Sequence, residues 1–193
     1  MFSWWCRESR NLALMDDQRD WLTLLRAGTA ADSWTLDPQA SNVQFAVKHF
    51  WGAVTVRGHF EQIAGQGAAT ADGSLTGTLS FEATSLTTKN KQRDKHLRSS
   101  DFFDTQNHPM VVLTVTETTV LDDGALVCKG TLEAAGHREP IEFTAHVQDF
   151  TDQAVTITAD LVVDRARFGM TWSPMRIAAY DALATVTARF VRP

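Results

Sequence analysis

The chain has 193 residues, a formal net charge of −5, 44% hydrophobic residues and 21% charged residues. That length suits one domain, or one domain with a tail, around a sizeable core, and the balance is that of a globular rather than a disordered chain. The mild acidity argues against general nucleic-acid binding, and no run approaches the roughly 18 apolar residues of a membrane helix.

Residues 1–33 read as an N-terminal extension. Leu14, Trp21 and Leu25 fall near one helical face, with Asp16 or Asp17 as N-cap. This predicts a short helix over about residues 16–26, in a loosely docked tail. The first ten residues, MFSWWCRESR, are interrupted by charges and form no continuous apolar stretch. No secretory signal is expected, and a cytoplasmic location is the expectation. The two cysteines, Cys6 in this tail and Cys128 in an apolar segment, suggest no bridge and fit a reducing compartment.

From Trp34 onward the hydrophobic period is two. Val43, Phe45, Val47 and His49 alternate with polar or small residues, as do Val54, Val56 and Phe60, and then Leu75, Leu79, Phe81 and Ala83. Further sets are Val111, Leu113 and Val115; Leu126, Cys128 and Leu132; Ile141, Phe143, Ala145 and Val147. The last two are Val155, Ile157, Ala159, Leu161 and Val163, and Tyr180 through Phe190. Eight such segments predict an all-β fold of eight antiparallel strands, with Asp72-Gly73 and Asp123-Gly124 as hairpin turns. An up-and-down barrel able to hold one small ligand is favoured, and a sandwich is the rival. Gly58, Gly77 and Gly130 share faces with apolar residues, for strand coiling or for a close approach.

Two stretches break the rhythm, residues 86–108 and 164–175, and both are long for hairpin loops. The first carries five basic side chains (Lys89, Lys91, Arg93, Lys95, Arg98) and ends in Phe102 and Phe103. Its spacing predicts a short helix over about Asn90–Leu97 that puts Asp94, Leu97 and Arg98 on one face. Arg93 and His96 suit an anionic head group; alternatively Arg93 and Asp94 form a structural ion pair. Asp94, Asp101 and Asp104 offset the basic residues and no aromatic platform is interleaved, so a nucleic-acid surface is not expected. Phe102 and Phe103 either cap an apolar cavity or plug the barrel end. In the second stretch, Phe168, Met170, Trp172 and Met175 form a soft apolar cluster that suits a binding wall or ordinary core.

The six histidines show no zinc spacing, and no nucleophile elbow, P-loop or dinucleotide fingerprint is present. No metal is expected. His49, on the inward face of its strand, is a core residue, a ligand contact or a metal ligand, in that order.

Together these residues resemble the YceI-like family. The resemblance lies in WTLDPQASNVQFAVKHFWG at 34–52, VRGHF at 56–60 and SLTTKNKQRDKHLRSSDFFDTQNHP at 85–109, then GTLEAAGHREPIEF at 130–143 and DRARFGM at 164–170. It covers the barrel domain, residues 34–193. It implies a lipocalin-like, extended eight-stranded barrel with an apolar channel for polyisoprenoids, isoprenoid quinones or long-chain amphiphiles, and a homodimer. The expected ligand is thus a hydrophobic small molecule. Its tail would lie among Phe45, Val47, Phe81, Phe102, Phe103, Leu113, Phe143, Ile157, Phe168, Met170, Trp172 and Val186. Its polar head would meet His49, Arg93, Asp94 and His96. No cofactor is expected beyond a co-purifying polyisoprenoid or other lipid. Nucleic acid and stable membrane insertion are not expected. Two other readings stay open: an enzyme acting on a hydrophobic substrate in the same cavity, and a ligand-free dimerisation module.

Overall fold

The computed structural model describes Trp21, Thr23 and residues 32–193. The remainder of the expected 16–26 helix lies outside the described residues; Trp21 and Thr23 are themselves helical. Eleven strands follow: β1 (Asp32–Leu36), β2 (Asn42–His49), β3 (Val54–Phe60), β4 (Ile63–Ala69), β5 (Leu75–Glu82), β6 (Leu86–Thr87), β7 (Met110–Val120), β8 (Ala125–Ala134), β9 (His137–Phe150), β10 (Ala154–Asp164) and β11 (Ala178–Val191). One α-helix, α1 (Lys91–Leu97), interrupts them between β6 and β7.

These strands make an eight-stranded closed antiparallel barrel, because three of its staves are broken. β1 and β2 both pair with β11, at Leu36↔Phe190 and Phe45↔Ala184. β4 pairs with β1 while β3 pairs with β2. β5 pairs with β4 while β6 pairs with β3. The sequence of pairings then runs β5, β7, β8, β9, β10, β11 and returns to β1. The eight alternating segments of the sequence each fall on one stave.

The breaks lie side by side and are mended by serine hydroxyls. Ser41 Oγ accepts from Arg189 N at 2.9 Å where β1 gives way to β2. Ser85 Oγ accepts from Gln62 N at 3.1 Å and donates to Glu82 O at 2.7 Å, where β3/β4 and β5/β6 are interrupted. A lost ladder bond would otherwise leave a backbone group unpaired inside the sheet, so a short side chain replaces it. Both predicted hairpin turns are present. Gly73 and Gly124 hold φ of 84° and 86°, and Asp72 and Asp123 accept from Ser74 N and Ala125 N.

Inside, two apolar clusters lie in series. One gathers Val43, Phe60, Phe81, Leu86, Val111 and Phe168; the other gathers Trp21, Leu126, Ala145, Val147 and Leu161. The expectation of a loosely docked tail is therefore corrected at Trp21, which is buried in the second cluster. Gly58 makes room for a neighbour: a Cβ there would lie 2.4 Å from Phe45 Cζ. Gly130 faces the bulge between Val115 and Glu117, where a Cβ would lie 1.8 Å from Thr114 O. Gly130→Ala is expected to cost about 3 kcal/mol through overpacking against backbone, a fall in Tm of about 10 °C for a chain of this size. Thermal denaturation checks this, and an unchanged Tm would contradict the contact.

Candidate functional site

The charged stretch between β6 and β7 folds as a strap over one end of the barrel. Asn90 caps α1 by accepting from Arg93 N at 3.1 Å, as Asn does at a helix start. The face predicted for this helix turns toward the barrel. Asp94 is buried and accepts from Thr88 N at 2.8 Å, Thr88 Oγ1 at 2.5 Å and Thr87 Oγ1 at 3.3 Å. Arg98 donates to Thr84 O at 2.9 Å and to Leu86 O. Leu97 packs on the core with Phe102 and Phe103. The polar side of the same helix, Lys91 and Lys95, is exposed, so the charges divide between a solvated face and a set of strap fastenings.

Burial by itself would push the Asp94 carboxyl up. The hydrogen bonds from Thr88 and Thr87, with the charge of Arg98, outweigh burial and hold it below the usual carboxylate value. Arg93 does not pair with Asp94. Its Nε donates to Thr88 Oγ1 at 2.7 Å and its Nη2 to Thr88 O at 3.1 Å. The two residues meet through Thr88, and among the described residues no ion pair joins them.

Beneath the strap lies a cavity of about 260 Å³. A second, of about 180 Å³, continues toward the opposite end. Leu79, Leu113, Leu161 and Val186 line both, so the two are lobes of one channel. Phe45, Val47, Phe81, Phe102, Phe103, Phe168, Met170 and Trp172 line the strap-side lobe, together with His49, Arg93 and His96. Phe143 and Ile157 line the far lobe, and Leu113 and Val186 the junction. Asp94 is the exception among the expected contacts. It lies outside the lining because the Thr87 and Thr88 bonds take up its carboxylate. Phe102 and Phe103 wall the channel without filling it.

Among the described residues, Arg and His side chains line only the strap-side lobe. The ionisable residues lining the strap-side lobe are His49, Arg93, His96 and Arg165, with no Asp or Glu. The far lobe is lined by apolar, Gly and Thr residues with Cys128, a free and buried thiol whose pKa burial raises. Burial, then the charges of Arg165 and Arg93, lower the pKa of His49 and favour its neutral form. His96 Nε2 lies 2.8 Å from Asp101 Oδ2, and its ring packs edge-on against Trp172 and Phe102. Among the described residues no group of three or more His, Cys, Asp or Glu is placed to hold a metal. Nor does any described hydrogen bond link the His49 or His96 ring to a hydroxyl or thiol.

Among the lining residues not anticipated are Trp21 and Trp34, which wall the far lobe, and Arg165, which borders the strap-side lobe. Arg165 follows directly on the strand-ending Asp164, whose Oδ1 caps the next turn by accepting from Ala166 N at 2.9 Å. DRARFGM carries two arginines, and nothing in the sequence marks Arg165 rather than the exposed Arg167 as the buried one.

Replacing Asp94 by Ala removes all three of its bonds and is expected to cost about 3 kcal/mol at neutral pH. The folded-state pKa lies below the ordinary 3.8. The contribution is therefore complete above that value and is lost as pH falls through the folded-state value. Urea denaturation at pH 7 and pH 2.5 checks this: the gap between wild type and Asp94→Ala narrows in acid. An equal gap at both would contradict the assignment.

The YceI-like domain matches residues 34–190 of the chain. A UPF0312 protein of Staphylococcus aureus (strain MRSA252) is 33% identical over 103 residues, 51% of this chain and 58% of that protein. A UPF0312 protein of Shewanella denitrificans is 30% identical over 131 residues, 65% of this chain and 66% of that protein. The aligned region thus covers less than two thirds of each relative. Among solved structures, Burkholderia cenocepacia BcnA superposes with a TM-score of 0.73 at 16% identity, covering 80% of this chain and 98% of that one. A polyisoprenoid binding domain from Saccharophagus degradans, implicated in plant cell wall breakdown, gives 0.68 at 16% identity over 83% and 98%. At these identities the likeness is one of fold.

Proposed function

The chain belongs to the YceI-like family, and from that premise we propose that it binds one long-chain apolar or amphipathic molecule inside the barrel. The ligand is a polyisoprenoid, an isoprenoid quinone or a fatty-acid-like chain, taken up for transport, storage or sensing. The observation that carries this reading is the two-lobed apolar channel that, among the described residues, has Arg and His side chains at one end only. Ligand sites are mostly apolar with a few convergent polar groups, and this channel has that composition resolved along its length. The polyisoprenoid binding domain of Saccharophagus degradans shares the fold, which supports a chain-like ligand.

The tail lies along Phe143, Ile157, Leu113 and Val186 toward Trp34. The head lies near His49, Arg93 and His96. Affinity comes from removing the chain from water, at roughly 25 cal/mol per Å² of apolar area, less the cost of immobilising the ligand.

Native mass spectrometry of the protein purified from its producing cells tests the proposal. One lipid adduct per chain, removed by organic solvent, is expected. The empty protein then regains affinity with chain length, by about four-fold per added methylene, until the channel is full. Val186→Phe, at the junction of the lobes, is expected to weaken binding of chains of sixteen carbons or so at least ten-fold while sparing chains of eight. Failure of the purified protein to retain or take up any long-chain probe would overturn the reading.

A further inference from the structure

Two described lining side chains carry a buried polar atom with no partner, Trp21 Nε1 in the far lobe and Arg165 Nη2 in the strap-side lobe, and only the second is charged. Arg165 is 6% exposed, and its guanidinium is fixed by three backbone carbonyls: Nε donates to Ala179 O at 3.0 Å, and Nη1 to Met170 O and to Trp172 O at 3.2 Å. Its remaining nitrogen, Nη2, is buried with no hydrogen-bond partner. The guanidinium carbon lies 5.7 Å from the Phe102 ring centre and 5.1 Å from that of Tyr180. A cation there gains some stabilisation from the rings, but rings do not neutralise it. The carboxylate whose charge acts on it is that of its exposed neighbour Asp164, whose Oδ1 is engaged with Ala166 N.

A buried guanidinium is costly unless it is paired, and removing a buried donor's partner costs the desolvation of that donor. The carbonyls that hold Arg165 supply hydrogen bonds but no negative charge. Arg93 adds a second positive group to the same lobe, and His96 has its own acid in Asp101, on the solvent side. Among the described residues no carboxylate lines this lobe beside its two guanidiniums, and Arg165 Nη2 has no acceptor.

We propose that Arg165 Nη2 receives an oxyanion, so that the ligand is a single long apolar chain ending in a carboxylate or phosphate monoester rather than a neutral isoprenoid or quinone. This rests on the channel reading above and narrows its ligand class. Arg165 is the head-group donor, with Arg93 adding its charge from α1. Burial first, and then the charges of Arg165 and Arg93, lower the pKa of His49 in the same lobe.

Competition binding with the unmodified chain at pH 7.5 tests this, using matched pairs: palmitate against methyl palmitate, and geranylgeranyl phosphate against geranylgeraniol. Each anion is expected to bind at least ten-fold tighter than its neutral partner, and the tighter of the two anions tells a carboxylate from a phosphate head. NMR titration is expected to show the His49 pKa rising when an anion is bound and not when its neutral partner is. Arg165→Gln, checked for folding by near-UV circular dichroism, is expected to erase the preference while retaining methyl palmitate. Because Arg165 also ties down three carbonyls, the wild-type pairs decide the matter if that variant does not fold. Equal binding within each pair overturns the oxyanion assignment and leaves the channel reading standing. No binding by any of the four overturns both.

Discussion

Closure of the sheet along β11 is the constraint on which the rest depends. Its fourteen residues pair with β10 on one side and with β1 and β2 on the other. Closure points one face of every stave inward and abolishes the sheet edges that an open meander would expose. On β11 the inward row is small over most of its length, with Ala178, Ala182, Ala184, Val186 and Ala188 lining the channel before Phe190 at the far end. Small side chains on the closing strand leave a barrel that its own residues do not fill. The space is a consequence of which residues sit on the closing stave, not of an unusual strand number.

The ends of the barrel are finished differently, and that difference gives the channel a direction. At one end Trp21 and Trp34 close an apolar lobe. At the other the end of β2, the strap around α1 and the loop after β10 bring His49, Arg93, His96 and Arg165 to a shared wall. The strap is held there by Asp94, whose carboxylate is occupied by Thr87 and Thr88. A charged insert in the sequence therefore has two roles at once. Part of it is fastening, part of it faces the cavity, and the division falls between adjacent residues 93 and 94.

Much of this was legible in the sequence. Period-two alternation located the eight staves and which residues face inward, because one buried face forces that pattern. The Asp-Gly turns and the Asn90 cap follow from local backbone chemistry and were equally readable. The breaks in three staves were not, since Ser41 and Ser85 look like ordinary polar residues until the neighbouring strands are in register. Asp94 was expected either at the head group or in a structural pair with Arg93; its carboxylate is taken up instead by Thr87 and Thr88, common residues with no motif of their own. Trp21 was hidden by belonging to a segment whose helical pattern says nothing about where it docks. Arg165 was hidden because its carbonyl partners at 170, 172 and 179 come from backbone, which carries no side-chain signature.

The central claim is that a chain-like molecule lies inside the barrel, head toward the strap. A crystal structure of the protein grown with a sixteen-carbon amphiphile tests it most directly. The account predicts continuous elongated density from the lobe walled by Trp21 and Trp34, past Leu113 and Val186, to a head beside Arg165. Density only on the outer surface, with the channel collapsed onto its own side chains, would contradict it.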